Sequence, residues 1–193
     1  MGEAASCAGG KSRPAALRLR YGSMAEDWAA KRDTNRANWQ DRVAPHVAPG
    51  SQYSKEIAAV TAGDSALQAT ETEELAGRLD GKKCLHLCCH IGTDTISLKH
   101  AGASSITGVD FSSNALAEAA KLATAAGLSD DEHRWVECDV YNAAEALGGE
   151  QFDVVFVSVG TLCWLNSIER FAKVVGDCLA PGGMFYIKDS HPM

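Results

Sequence analysis

Five short apolar runs, separated by turns or by stretches of helical period, constrain this chain more than any other feature. They cover residues 84–88, 105–111, 133–138, 152–158 and 184–189. Residues 93–101, with Ile96, Leu98 and an acid at Asp94 in the first turn, lie between the first two. The alanine-rich stretch 112–127 follows the second; Ser112 or Ser113 can cap it and Gly127 can end it. A shorter helix is predicted at 142–147. Another is predicted at 166–179, opened by Asn166 and Glu169 as a capping box and stopped by Pro181-Gly182-Gly183. Strand, helix, strand in repetition gives a parallel sheet with right-handed crossovers. The runs are nearly continuously apolar rather than alternating, as strands are when helices cover both faces. The predicted fold is therefore α/β, a doubly wound parallel sheet. In such sheets ligands bind beyond the C-terminal strand ends, at the point where strand order reverses.

The remaining sequence surrounds that unit. Residues 1–23 carry Lys11, Arg13, Arg18 and Arg20 against one acid, Glu3, and read as a disordered or targeting extension. Their Ala, Ser and Arg content resembles an organellar transit peptide. Residues 24–80 read as a helical N-terminal cap anchored by Trp28 and Trp39, with Pro45 and Pro49-Gly50 expected to break its first helix. Residues 81–193 form the predicted core. The 193-residue chain has a net charge of −7, which argues against a nucleic acid or an anionic membrane as its main partner. No run is apolar enough to span a bilayer. Seven cysteines without framework spacing, and no secretory signal, point to free thiols in a reducing compartment, taken as the cytoplasm, with organellar import through residues 1–23 as the alternative.

Candidate site residues fall at the strand ends. The first strand runs into Cys88-Cys89-His90-Ile91-Gly92 and then a helix, where backbone N–H groups can approach a ligand. Only Gly92 of a glycine-rich turn is present, so the Gly-x-Gly-x-x-Gly pattern of nicotinamide cofactor sites is absent. Asp110 ends the second strand, where a carboxylate can accept from both hydroxyls of a ribose; capping the next helix is the plainer role. Asp139 adds an acceptor after the third strand. Cys84, His86, Cys88 and His90 are spaced by two, but side chains fanned along one strand do not converge on an ion, so no metal is expected. Cys88 or Cys89, just before a helix N-terminus, would be a reactive thiol if its pKa were lowered there.

Together these residues resemble the class I S-adenosylmethionine-dependent methyltransferases, over roughly residues 81–193, and the fold that the resemblance implies is Rossmann-like. The family's first-strand acid falls on His86 and its three loop glycines on Cys88, His90 and Gly92. The runs Leu-His-Leu-Cys-Cys-His-Ile-Gly-Thr-Asp-Thr, Gly-Val-Asp-Phe-Ser and Cys-Asp-Val-Tyr resemble a subgroup whose loop carries Cys-His-x-Gly, and residues 35–42 resemble its N-terminal cap. The resemblance implies S-adenosylmethionine as cofactor, with Asp110 on the ribose, Phe111 against the adenine, and Asp139 on the adenine amino group with Val140 alongside. The loop 88–92 and Ser158 would face the methionine end. The family completes its sheet with a sixth and a seventh strand; these have no counterpart before Met193, so a fragment is expected, or a partner covering the edge.

The fourth strand ends Ser158-Val159-Gly160-Thr161, without the Asn/Asp-Pro-Pro-Tyr/Phe signature of base amino methyltransferases. Cys163 follows Leu162 rather than a proline, unlike the nucleophilic loop of cytosine C5 enzymes. With the acidic charge, this predicts a small-molecule acceptor and no nucleic acid. Trp39, Tyr53, Trp164 and His191 are the acceptor-side candidates, His191 as a potential base. A truncated, non-catalytic binding module is the alternative, and a nicotinamide-linked oxidoreductase a lower one.

Overall fold

The computed structural model describes the backbone of residues 15–190 and the side chains of residues 27–190. The strands β1 (Lys83–Leu87), β2 (Ser105–Asp110), β3 (His133–Glu137), β4 (Phe152–Val157) and β5 (Leu179–Ile187) form one parallel sheet in the order β3-β2-β1-β4-β5. Strand order grows outward from β1 to β3, then jumps back to β4, so the reversal lies between β1 and β4. The helices are α1 (Ala15–Val47), α2 (Ser54–Thr61), α3 (Ala69–Leu75), α4 (Thr93–His100), α5 (Ser113–Ala125), α6 (Ala143–Ala146) and α7 (Ile168–Cys178).

The chain divides into two compact units, residues 1–35 and 36–193. In the first, the described part of α1 carries an exposed Lys31–Asp27 pair one helical turn apart. The second holds the sheet, the other helices and every site residue discussed below.

Strand pleating sorts the core into two layers. Leu85, Leu87, Val155 and Val157 point to one face and pack with Phe171, Val174 and Val175 of α7. Cys84, Val154 and Phe156 point to the other and pack with Ile96 and Leu98 of α4, together with Val60, Leu75 and Leu79. Alternate residues of each central strand thus bury on opposite faces, which accounts for the unbroken apolar runs.

Three local expectations are revised. Pro45 lies inside α1 rather than ending the helix before it. The helix stops two residues later, so the missing N–H falls in a closing turn, while Val43 is buried beside it. The cap of α7 is Ser167, not Asn166: its Oγ accepts the Arg170 N–H at 3.2 Å. β5 begins at Leu179, ahead of Pro181, because a register shift between Phe152 and Val154 admits the proline on this outer strand. Ser112 caps α5, accepting the Ala115 N–H at 3.2 Å. Among the described residues no helix is long and apolar enough to cross a membrane.

Candidate functional site

The turn after β1 keeps a glycine-type backbone with only one glycine. Cys88, His90 and Gly92 have φ of 60°, 49° and 76°, so alternate residues are left-handed. Such a conformation costs a side chain roughly 1–2 kcal/mol. Hydrogen bonds hold it. The Cys89 N–H donates to the Val109 carbonyl at 3.0 Å, the Gly92 N–H to the Cys89 carbonyl at 2.9 Å, and the His90 N–H to Asp110 Oδ2 at 2.8 Å. At Gly92 a Cβ would sit 2.7 Å from Trp135 Cη2 and 2.9 Å from Ala119 Cβ. Gly92 therefore must be glycine for both backbone and space.

Asp110 joins this loop to the next helix. Its Oδ1 accepts the Ser112 N–H at 2.9 Å while Oδ2 takes His90. Burial pushes its pKa up, and the N–H groups of Ser112, His90 and Phe111 pull it back. Asp110 is 8% exposed, and its carboxylate retains acceptor capacity beyond these N–H groups. It anchors the loop and holds the backbone of Ser112, the residue that caps α5. The Asp110 carbonyl accepts the Cys138 N–H at 3.0 Å. Asp139 Oδ1 accepts the Tyr141 N–H at 3.0 Å, opening a 3-10 turn over Val140–Asn142. Phe111 is half-buried at the same rim, and Val140 packs against the core. Cys88 lies within the field of Asp110, Asp139 and Cys138. Burial first, then those charges, pushes its thiol up, and Cys89 is raised in the same way. The condition for a reactive thiol before the helix N-terminus is not met: desolvation and nearby carboxylates outweigh the helix end.

A second polar set lies across the strand-order reversal. His86, fully buried where the family carries an acid, bonds Thr95 Oγ1 through Nδ1 at 2.8 Å and Ser158 Oγ through Nε2 at 3.1 Å. Burial holds its pKa down to about 3, so the ring is neutral. Ser158 also bonds the Asp94 carboxylate, whose pKa burial raises to about 6 against that bond.

Above the loop, rings gather around His90. Its Nε2 lies 2.8 Å from His46 Nδ1. Trp39 meets His90 edge-on at 5.2 Å between centroids and Trp164 at 5.6 Å; Tyr53 lies 4.8 Å from His46 and 5.6 Å from His90. Gln40 fastens this end of α1, its Oε1 accepting the Ser112 hydroxyl at 2.8 Å and the Asn114 N–H at 2.9 Å. Arg36 pairs with Glu137. Asp189, after β5, accepts the N–H groups of Gly160 and Leu162 at 2.9 and 2.8 Å and so holds the loop that carries Trp164.

Of the predicted residues, Cys88, His90, Gly92 and Asp110 thus form one connected turn, with Asp139 near Cys88. Ser158 joins His86 and Asp94. Trp39, Tyr53 and Trp164 form one ring cluster on His90. His191 lies outside the described residues, as do residues 1–14. His46, Gln40, Asp94 and Asp189 were missed. Gln40 stands within the run 35–42 and Asp94 two residues after Gly92, so both carried a positional signal; His46 and Asp189 carried none. Among the described residues no three His, Cys, Asp or Glu side chains are placed to hold a metal ion.

A doubly wound sheet with a left-handed turn after β1 and a carboxylate ending β2 defines a protein of the nucleoside-cofactor-binding α/β class. Within that class, residues 85–185 match the family described as methyltransferase domain, and the chain belongs to that family, class I and S-adenosylmethionine-dependent. The sequence is 32% identical over 114 residues to the ribosomal RNA large subunit methyltransferase K/L of Chromohalobacter salexigens, covering 54% of this chain and 15% of that protein. It is 35% identical over 92 residues to the ribosomal RNA large subunit methyltransferase I of Shewanella amazonensis, covering 46% and 23%. The chain spans less than a quarter of either relative. Among solved structures it resembles the Thiobacillus denitrificans S-adenosylmethionine-dependent methyltransferase in complex with S-adenosyl-L-homocysteine, with a TM-score of 0.51 and 20% identity over 68% of this chain and 54% of that one. It also resembles the glycopeptide N-methyltransferase MtfA complexed with sinefungin, with a TM-score of 0.50 and 25% identity over 61% and 51%.

The rim fits such a cofactor. Asp110 retains acceptor capacity beyond the N–H groups that grip it, and the turn before α4 keeps the left-handed backbone of a glycine loop. The small-molecule acceptor and the exclusion of nucleic acid are corrected by the ribosomal RNA methyltransferases among the relatives. Net charge sums the whole surface and does not report the field at one rim. The missing Pro-Pro signature excludes one kind of base chemistry, not RNA as a substrate.

Proposed function

We propose that this chain transfers the methyl group of S-adenosylmethionine to a nucleic-acid acceptor of the ribosomal RNA class. The observation that carries the cofactor half is the turn 88–92, left-handed at alternate residues and tied by His90 to Asp110. In this reading Asp110 accepts from the ribose, and Phe111, Asp139 and Val140 surround the adenine. Cys88, His90 and Gly92 face the methionine end, with Ser158 beside them. The part of the N-terminal cap from Arg36 to Asp80 lids the cofactor through the end of α1. When bound, the sulfonium supplies an electrophilic methyl group, and the chain's residues have to orient the acceptor and exclude water. Trp39, Tyr53 and Trp164 offer ring faces on which an unstacked base can lie. The free cysteines among the described residues suit a reducing compartment such as the cytoplasm.

Two measurements test the two halves separately. Calorimetric titration with S-adenosylhomocysteine should show binding that Asp110→Ala weakens at least ten-fold; a folded chain that ignores the ligand refutes the cofactor site. Tritium from labelled S-adenosylmethionine should enter large-subunit ribosomal RNA transcribed in vitro. Binding without transfer to that RNA refutes the acceptor.

A further inference from the structure

His46 and His90 stand on different elements, α1 and the turn after β1, and touch through ring nitrogens 2.8 Å apart. His90 occupies a left-handed position, with φ of 49°, where a glycine would carry no strain. A strained residue at a ligand-binding turn invites a functional account. We propose that the two imidazoles act as one proton acceptor for the methyl acceptor, a catalytic pair that rests on the methyl-transfer reading above.

The chemistry follows from the contact. Whichever ring donates the shared N–H, the pair presents one N–H and one unshared lone pair at its outer nitrogens, His46 Nε2 and His90 Nδ1. As the bond from acceptor nitrogen or oxygen to methyl carbon forms, the carbon–sulfur bond breaks and its electron pair stays on sulfur. The acceptor atom is left cationic and still carries its proton. The free lone pair of the histidine couple takes that proton, the bridging proton shifts between the rings, and the opposite N–H is released to water. Charge and atoms balance without another reactant.

The surroundings suit this cycle. Trp39 lies 5.2 Å from His90, and Tyr53 lies 4.8 Å from His46; aromatic rings at this range accommodate a transient imidazolium. Both rings stay neutral beforehand. Burial first, then the charges of His46 and Arg42, lowers His90 to about 4, and burial followed by Arg42 lowers His46. Tyr53, from the adjoining turn, is raised chiefly by burial and also feels Asp94, Glu56 and Arg42, so it stays a phenol. A neutral imidazole with a depressed pKa is a weak base, enough for the very acidic proton of a freshly methylated cation, and it gives the proton up readily.

The test uses the full chain. In nitrogen-15 histidine spectra the two rings should take up one proton together over a single pH interval, and His46→Gln should abolish that joint step. With in-vitro-transcribed large-subunit ribosomal RNA, His46→Gln and His90→Asn should each lower kcat at least ten-fold. Asparagine tolerates the left-handed backbone. The double variant should be no slower than the worse single one, and His46→Gln should bind S-adenosylhomocysteine within two-fold of the parent. Rings that titrate separately, rates within two-fold, or homocysteine-ligand affinity falling in step with kcat each overturn the pair. Wild-type protein that binds the ligand but leaves the RNA unlabelled refutes the acceptor reading, and the pair falls with it; transfer that is unaffected by the variants refutes the pair alone.

Discussion

The two halves of the strand-end rim are built by different means. On the β2–β3 side backbone groups do the holding: the His90 and Ser112 N–H groups grip Asp110, and the Tyr141 N–H grips Asp139. On the β1–β4 side and above it, side chains hold one another: His86 with Ser158 and Thr95, His46 with His90, Trp39 with Trp164. Backbone grips follow from the path of the chain and need only a few permissive residues. Side-chain grips depend on each identity. The half proposed for the cofactor is thus tied to the fold, and the half proposed for the acceptor is tied to this particular chain.

The sharpest way to break both halves at once is Gly92, where they meet. Gly92→Val adds a branched side chain at a φ of 76°, with Trp135 and Ala119 already inside contact distance. Strain and overpacking together should cost about 2–5 kcal/mol, read as a lower urea midpoint at unchanged m-value. Next comes Asp110→Ala, which strands two N–H groups. It should cost about 2–4 kcal/mol and lose S-adenosylhomocysteine affinity. Gln40→Ala, on the side-chain half, should stay within about 1 kcal/mol. Equal losses at Asp110 and Gln40 would erase the distinction between the halves.

The same distinction explains what could be read from the sequence. The strands were legible because burial on both faces forces continuous apolar runs, and the place of Asp110 at the end of β2 was legible with them. The turn 88–92 was legible only through its place before α4, since two of its left-handed residues are not glycine. The ring cluster joins residues from 39 to 164, brought together by packing that no local period encodes. Asp189 and His46 were invisible for that reason. The acceptor was misjudged because total charge averages over faces that a substrate never meets.

His86 gives the side-chain half a pH signature. Its folded pKa, about 3, lies below the unfolded value near 6.5, so between those values the unfolded chain binds more protons. Stability therefore falls as pH drops through that window, by up to about 1.36 kcal/mol per unit. Asp94 works the other way: its folded pKa, about 6, lies above its ordinary value of 3.8, so acid relieves a strain present at neutral pH. Denaturant titrations from pH 7 to 4 should show His86→Gln with a flatter acid loss than the parent and Asp94→Asn with a steeper one. Parallel profiles would mean that neither group is sealed as described.

The most localised effect is expected at Asp189, the side-chain group that most resembles the backbone half in what it does. Both of its oxygens accept N–H groups from the loop after β4, and those bonds hold its pKa below the usual carboxylate value against the opposing effect of burial. Asp189→Asn keeps one acceptor and turns the other into a donor facing an N–H. The loss should be about 0.5–1.5 kcal/mol, confined to the loop that carries Trp164. Hydrogen exchange at the Gly160 and Leu162 amides should quicken while the β1 and β2 amides keep their protection. If exchange quickens across the sheet instead, Asp189 supports the fold as a whole, and the acceptor side owes its shape to more than its own side chains.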